Sequence, residues 1–329
     1  MSQVLTYNQI DRTEWQELVR NSKTGTWYQS PAAYDFYASL PDVMEPFVFA
    51  LKMDTSLRAI CVGYVTKERN LFKQFFTRRA IINGGICFAN NTTNDEVEAF
   101  LAYIRIRLSK KAIYLETRNF NDYSRWKEAF EASGFAYKPH LNFHVITDRF
   151  EVRLSDNRKR QLKKSDAICE VANSDLEIRE WYEVLAELYR TKVKTPLFPI
   201  DFFIEAYRRK IGTFLLVKHA ERVIGGSMVV ADEKCVYEWF ECGLNAQYKD
   251  QYPSVIATCS GIDFARQQGC VRYDMMGAGE PNVPYGVRDF KAEFGGTLVE
   301  YGRFLCFCKP ALYRLGVVGV RILKSSVNH

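Results

Sequence analysis

Tyr273-Asp274-Met275-Met276-Gly277, followed by Val287-Arg288-Asp289-Phe290-Lys291-Ala292-Glu293-Phe294-Gly295-Gly296, is the stretch on which the reading of this 329-residue chain turns. The apolar run Val271 to Met275 starts just after Gly269, and Gly269 stops a helix predicted over Ser254 to Gln267. A strand reached through such a helix is expected to join its sheet as a parallel addition. Upstream, Thr213 to His219, the turn Ala220-Glu221-Arg222, Val223 to Ala231 and then Cys235 to Cys242 read as an antiparallel meander.

The first half carries the same order. Phe47 to Met53, a turn at Asp54 to Ser56, Arg58 to Lys67 and Leu71 to Thr77 read as strands, followed by a helix over Asp95 to Lys110 and a strand over Ala112 to Thr117. A short helix over Trp126 to Ser133 stops at Gly134. Ahead of these, Asp11 caps a helix to Arg20, with Glu14 three residues on; Thr26 to Pro31 reads as extended and leads into a helix over Ala32 to Leu40. Two copies of hairpin, strand, helix and strand predict an α/β fold of two tandem domains, each a mixed sheet flanked by helices. The boundary is expected at 148/149, giving 1–148 and 149–329. The second domain opens with a helical bridging segment, Arg149 to Lys210, holding a basic helix capped near Ser155, helices over Asp175 to Arg190 and Asp201 to Arg209, and a Pro196-Leu197-Phe198-Pro199 stop between them.

A composition of 47% hydrophobic and 14% aromatic residues is enough to bury two cores. No apolar run approaches the roughly 20 residues that cross a bilayer, and the start lacks the layout of a secretion signal, so a cytoplasmic location is expected. Nine cysteines without C-x-x-C spacing are expected to be reduced and mostly buried. Four histidines form no ligand pattern, and G-x-S-x-G, H-E-x-x-H and Walker motifs do not occur, so neither a metal nor a hydrolase site is expected. His140 and His144 are four apart, but Pro139 and the strand-like Asn142 to Ile146 argue against a helical pair. The net charge of +6 peaks in Arg158-Lys159-Arg160-Gln161-Leu162-Lys163-Lys164.

Together these stretches resemble the Fem (FemAB-like) family of peptidoglycan aminoacyltransferases, which use two tandem GNAT-like (acyl-CoA N-acyltransferase-type) domains. Tyr273 to Gly277 and Phe290 to Gly296 are similar to the family's Y-D-x-x-G and F-K-x-x-F-G-G. Gln29-Ser30-Pro31 resembles its early Q-x-P. Arg158 with Leu162-Lys163-Lys164-Ser165 resembles the basic helix that opens its second domain. The segment Arg149 to Lys210 lacks heptads, so the chain resembles the compact members without a coiled-coil arm. Tyr37 and Phe198 stand where members that bind nucleotide-linked precursors carry a Lys and an Arg, which implies an acceptor that lacks that pyrophosphate or is bound otherwise.

Acyl transfer to an amine requires a proton acceptor and positive charge where the carbonyl oxygen becomes negative. The resemblance makes Lys291, between the aromatic walls Phe290 and Phe294-Gly295, the group for the carbonyl; by spacing alone it is also compatible with a lysine at a strand edge. Tyr237, Trp239 and Glu241 alternate along one predicted strand, either as an acceptor site with Glu241 as proton acceptor or as cross-strand packing. Asp274 either orients an amine or closes a turn. Arg118, at the end of the first domain's strand, either meets a phosphate or carboxylate or pairs with Glu116 or Asp122.

Neither half shows the Q/R-x-x-G-x-G/A loop that wraps the pyrophosphate of acetyl-CoA. This disfavours acetyl-CoA and suits the aminoacyl-tRNA donor that the resemblance implies, its phosphates along Arg158, Lys159, Arg160, Lys163 and Lys164, with no bound cofactor; the same helix is also compatible with a solvated face. Ala311 to Lys324 mixes apolar and basic residues, suited to the membrane surface or to packing on the second domain. The function expected is aminoacyl transfer from tRNA to an amine of a cell-envelope precursor. The alternatives are an acyl-CoA or acyl-carrier enzyme acting on capsule or exopolysaccharide amino sugars, and a non-catalytic binding module.

Overall fold

The computed structural model describes residues 2–68, 77–147, 154–193 and 195–316. The strands are β1 (Ser2–Thr6), β2 (Met44–Met53), β3 (Ser56–Thr66), β4 (Arg79–Gly84), β5 (Cys87–Phe88), β6 (Tyr114–Asn119) and β7 (Ala136–Lys138). They continue with β8 (Leu141–Ile146), β9 (Ile168–Val171), β10 (Thr213–His219), β11 (Arg222–Ala231), β12 (Cys235–Gly243), β13 (Arg272–Gly277), β14 (Thr297–Glu300) and β15 (Arg303–Phe307). One sheet runs β1-β2-β3-β4-β6-β15-β7, with β5 also on β3; the other runs β14-β8-β13-β12-β11-β10-β9. Among the described residues, all strand pairings are antiparallel except β4 with β6 and β12 with β13, the two strand pairs bridged by the helices Asn94–Leu108 and Pro253–Gln267. The second sheet has the meander and parallel addition expected from the sequence; in the first, β4 at Arg79–Gly84 was not among the expected strands.

The helices begin where side chains can satisfy their free N–H groups. Asp11 accepts from the Glu14 N–H at 2.8 Å, and Thr93 and Glu96 form a reciprocal capping box. One local expectation changes. Trp27–Gln29 is a 3₁₀ turn and not extended chain, because the buried Gln29 amide folds back to accept from the Thr26 N–H at 2.7 Å and donates to the Gly85 carbonyl at 3.0 Å.

The chain forms two compact units, 2–139 with 301–316, and 140–300. This differs from the expected contiguous halves. Strand β8 lies between β13 and β14 in the second sheet, and β15 lies between β6 and β7 in the first, so each sheet takes one strand from the other half of the sequence. Burial explains the placement of β15: Phe304 is wholly buried and stacks on Phe130 with ring centroids 4.1 Å apart, in the core that also holds Phe100, Leu115 and Phe135. Burying one such ring contributes about 1.5–3 kcal/mol. The second core gathers Phe143, Val145, Leu215, Val229, Val255, Ile262 and Phe294.

The expected strand over Leu71 to Thr77 lies, up to residue 76, outside the described residues, and so do the 148/149 boundary and the tail beyond residue 316. All nine thiols are free. No helix among the described residues is long and apolar enough to cross a membrane.

Candidate active site

The second sheet opens at the C-terminal ends of β12 and β13. These parallel strands pair through Cys235 with Arg272, Val236 with Tyr273 and Tyr237 with Asp274, while β12 continues to Gly243 against β11 alone. A β-bulge lies in this free stretch. Ser227 pairs with Glu241, Met228 with Phe240 and Val229 with Glu238, which leaves Trp239 as the extra residue. The bulge turns Trp239 and Phe240 to one face, where their rings lie 5.9 Å apart at 22° and both meet Phe202. It turns Glu238 and Glu241 to the other, the face of Val229 and Ser227.

That second face is polar. Tyr273 donates its hydroxyl proton to Glu238 at 2.5 Å, and Gly261 leaves the room, since a Cβ there would lie 2.3 Å from the Tyr273 oxygen. Lys291 is 7% exposed, and its amine donates to the Met275 carbonyl and to the Gly277 carbonyl at 3.0 Å. An ammonium has three N–H groups, so one is left for a ligand. Glu241 presents an Oε1 that is buried without a hydrogen-bond partner.

Lys291 reaches this position from the helix Gly286–Ala292 and not from a strand edge. The helix is held from behind by Phe290 and Phe294, whose rings are 5.0 Å apart. Arg158 lies over both, 4.8 Å and 5.6 Å from the ring centres. Its guanidinium also donates to Glu293 at 3.1 Å and to Gln161 at 2.7 Å. Gly295, with φ +75°, allows the turn into β14.

The charges of three carboxylates act on Lys291: Glu238 and Glu241 from this face, and Asp274, which its register with Tyr237 sets on the opposite one. Burial raises the Glu241 carboxyl to about 8, with the neighbouring Glu238 charge adding to the rise and Ser254 and Lys291 opposing it. Burial likewise raises Glu238, against Lys291 and the Tyr273 hydrogen bond. Burial lowers the Lys291 ammonium, while Glu238, Asp274 and Glu241 hold it up. A charged donor next to acids tuned toward neutrality can polarise a carbonyl and take a proton from an amine.

The candidates named from the sequence divide as follows. Lys291 and Glu241 come together, with Phe290, Phe294 and Gly295 in the segment that carries Lys291; Asp274 pairs with Tyr237 and so lies on the opposite face, its oxygens on His144 and the Met276 N–H. Tyr237 and Trp239 do not join Glu241 on one face, because the bulge breaks the alternation: Tyr237 donates to Asp232 at 3.1 Å and Trp239 packs on Phe202. Arg158 braces the Lys291 helix and is not free for a phosphate. Lys159, Arg160, Lys163 and Lys164 are exposed on the helix Asp156–Lys164. Arg118 belongs to the other unit and pairs with Glu116 at 3.3 Å, which also takes Arg303 at 2.6 Å. Tyr37 and Phe198 both pack on rings, on Tyr64 at 5.0 Å and Phe202 at 4.3 Å. Glu238 was missed, because period-two alternation carries no mark of an extra residue.

A family model described as the FemAB family matches residues 92–317. The chain belongs to the FemAB family. Among solved structures, FemX superposes with a TM-score of 0.71 at 13% identity, over 95% of this chain and 99% of that one. A tandem GNAT protein from the clavulanic acid biosynthesis pathway superposes with a TM-score of 0.62 at 10% identity, over 94% and 99%. L-PGS from Bacillus licheniformis gives 0.56 at 12% identity, over 94% and 96%. These neighbours share the fold, so this FemAB chain is a tandem GNAT-fold protein. No curated protein matches it. It is an acyltransferase, and the family's activity is aminoacyl transfer to peptidoglycan-type precursors.

Proposed function

We propose that this FemAB protein transfers an aminoacyl group from aminoacyl-tRNA to an amine on a cell-envelope precursor, with Lys291 and Glu241 at the reacting centre. The observation that carries the reading is the buried Lys291, held on the Met275 and Gly277 carbonyls at the end of β13, with the buried carboxyls Glu238 and Glu241 acting on its charge. An acceptor amine arrives as an ammonium, which a surplus of acid attracts. It passes a proton to the Glu241 carboxylate, and the neutral amine attacks the ester carbonyl carbon. The third N–H of Lys291 meets the charge on the carbonyl oxygen. As the tetrahedral species collapses, the ester C–O bond breaks and the leaving ribose oxygen takes up the proton held by Glu241; the remaining extra proton on the new amide nitrogen passes to the Glu241 carboxylate so freed and on to solvent, which leaves the neutral amide.

The helix Pro253–Gln267 supports tRNA over an acyl-CoA donor. A helix start offers free N–H groups to a pyrophosphate. Here Pro253 has none, Ser254 donates to the Asn245 side chain at 3.3 Å and Val255 to the Tyr252 carbonyl at 2.9 Å. Lys159, Arg160, Lys163 and Lys164 supply an exposed basic row for phosphates. The test offers bulk charged tRNA and a mixed acyl-CoA pool in parallel, with envelope-precursor extract as acceptor and label in the acyl group. Label arriving from tRNA is the expected result. Label from acyl-CoA alone establishes the amino-sugar reading instead, and label from neither leaves the binding-module reading.

A further inference from the structure

Strand β8 places His144 beside Asp274, in register with it across the β8–β13 pair. Both side chains are buried, and His144 Nε2 lies 3.1 Å from Asp274 Oδ2. The other carboxylate oxygen, Oδ1, accepts the Met276 N–H at 2.7 Å. Met276 has φ +60°, a left-handed conformation that costs a residue with a side chain about 1 kcal/mol or more and so needs an outside hold. The β8–β13 register breaks at this place, between Asp274 and Gly277. The carbonyls on either side of Met276, those of Met275 and Gly277, are the two that accept from the Lys291 amine.

We propose that His144 is a positioning residue for Lys291, acting through Asp274 and the Met275–Gly277 turn. The inference rests on the role given to Lys291 above. With two N–H groups fixed on the turn, the third points where the turn directs it. Rotation of the peptides around Met276 would carry the two carbonyls, and with them the amine, away from the reacting carbonyl. His144 prevents this by supplying Asp274 Oδ2 with a donor in a site where a carboxylate oxygen without one is costly. The holding residue is thus contributed by the strand that comes from the first half of the sequence. A misplacement of about 1 Å at a reacting group can cost on the order of 100-fold in rate.

The test compares His144→Leu, which removes the donor, with His144→Gln, whose amide nitrogen can occupy the place of Nε2. Expected for His144→Leu is a loss in kcat of about 10-fold to 100-fold with the acceptor KM changed less than about 2-fold, and for His144→Gln recovery of most of that loss. In nitrogen NMR of lysine-labelled protein, with Lys291→Ala assigning the signal, the Lys291 amine is expected to shift in His144→Leu and to hold its place in His144→Gln. Asp274→Asn combined with His144→Leu should cost little more than Asp274→Asn alone, since the two act in series. Native kcat in folded His144→Leu, an unmoved Lys291 signal, or additive losses in the double variant would overturn the inference. Lys291→Ala is assayed alongside. Full transfer by Lys291→Ala removes the reading of the site itself; loss there with none in His144→Leu removes only the role of His144.

Discussion

Glu241 and Lys291 are each displaced by burial toward the middle of the pH scale, and the direction of each shift fixes a measurable profile. With Glu241 near 8, its carboxylate is the minor form at neutral pH and becomes the major one above that value. Transfer that uses it as proton acceptor should rise in kcat/KM up to about pH 8 and fall again below the ordinary lysine range, as Lys291 loses its charge. Glu241→Gln is expected to abolish the rising limb; an unchanged limb assigns the proton to another group. Stability follows the same shift. The folded value lies above the unfolded 4.5, so the stabilisation from neutral Glu241 is complete below 4.5 and is lost as pH rises through about 8. Glu241→Gln, which never ionises, should therefore gain on the native chain between about pH 4 and about pH 9 in denaturant unfolding. A constant difference contradicts the buried state of this carboxyl.

Two faces of one element divide the work around Lys291. The basic helix Asp156–Lys164 turns Arg158 inward onto Phe290 and Phe294 and leaves Lys159, Arg160, Lys163 and Lys164 outward. Alanine at the four outward positions should raise KM for charged tRNA and flatten its salt dependence with kcat nearly kept, whereas Arg158→Ala should lower kcat. Equal effects from both faces contradict this division. The helix itself was legible in the sequence from its Ser155 cap and its run of charge. Which arginine turns inward was not, since Arg158 looks like its neighbours until the Phe290-Phe294 wall packs beneath it. The bulge at Trp239 was hidden for the same reason. Alternation along Tyr237, Trp239 and Glu241 presumes a regular ladder, and the extra residue is specified by tertiary packing on Phe202. Lys291 was found through the F-K-x-x-F-G-G resemblance, while its helical setting and its carbonyl partners emerged only with the fold.

Across the whole molecule, the second half's meander, crossover helix and parallel strand were readable from periodicity and turn residues, as were β2, β3, the helix and β6 of the first half, whereas β4, which pairs in parallel with β6, lies at Arg79–Gly84, past the strand expected over Leu71 to Thr77. The exchange of β8 and β15 was not readable, because a short apolar strand carries no mark of which sheet it joins. The exchange sets which fragments fold. A fragment of residues 140–300 holds the complete second sheet and should unfold cooperatively, whereas 149–329 lacks β8, with Phe143 and Val145 from the core and the antiparallel partner of β13, and should not. Circular dichroism on heating distinguishes the two; a cooperative 149–329 contradicts the role given to β8. The same second unit carries Lys291, and the most direct measurement of its chemistry is labelled aminoacyl transfer from charged tRNA to envelope precursor by the native chain and by Lys291→Ala. A drop of about 100-fold to 1,000-fold in kcat with native folding is the result expected of a lost carbonyl-polarising group. Full transfer by folded Lys291→Ala would remove Lys291 from the reaction and contradict the proposed centre.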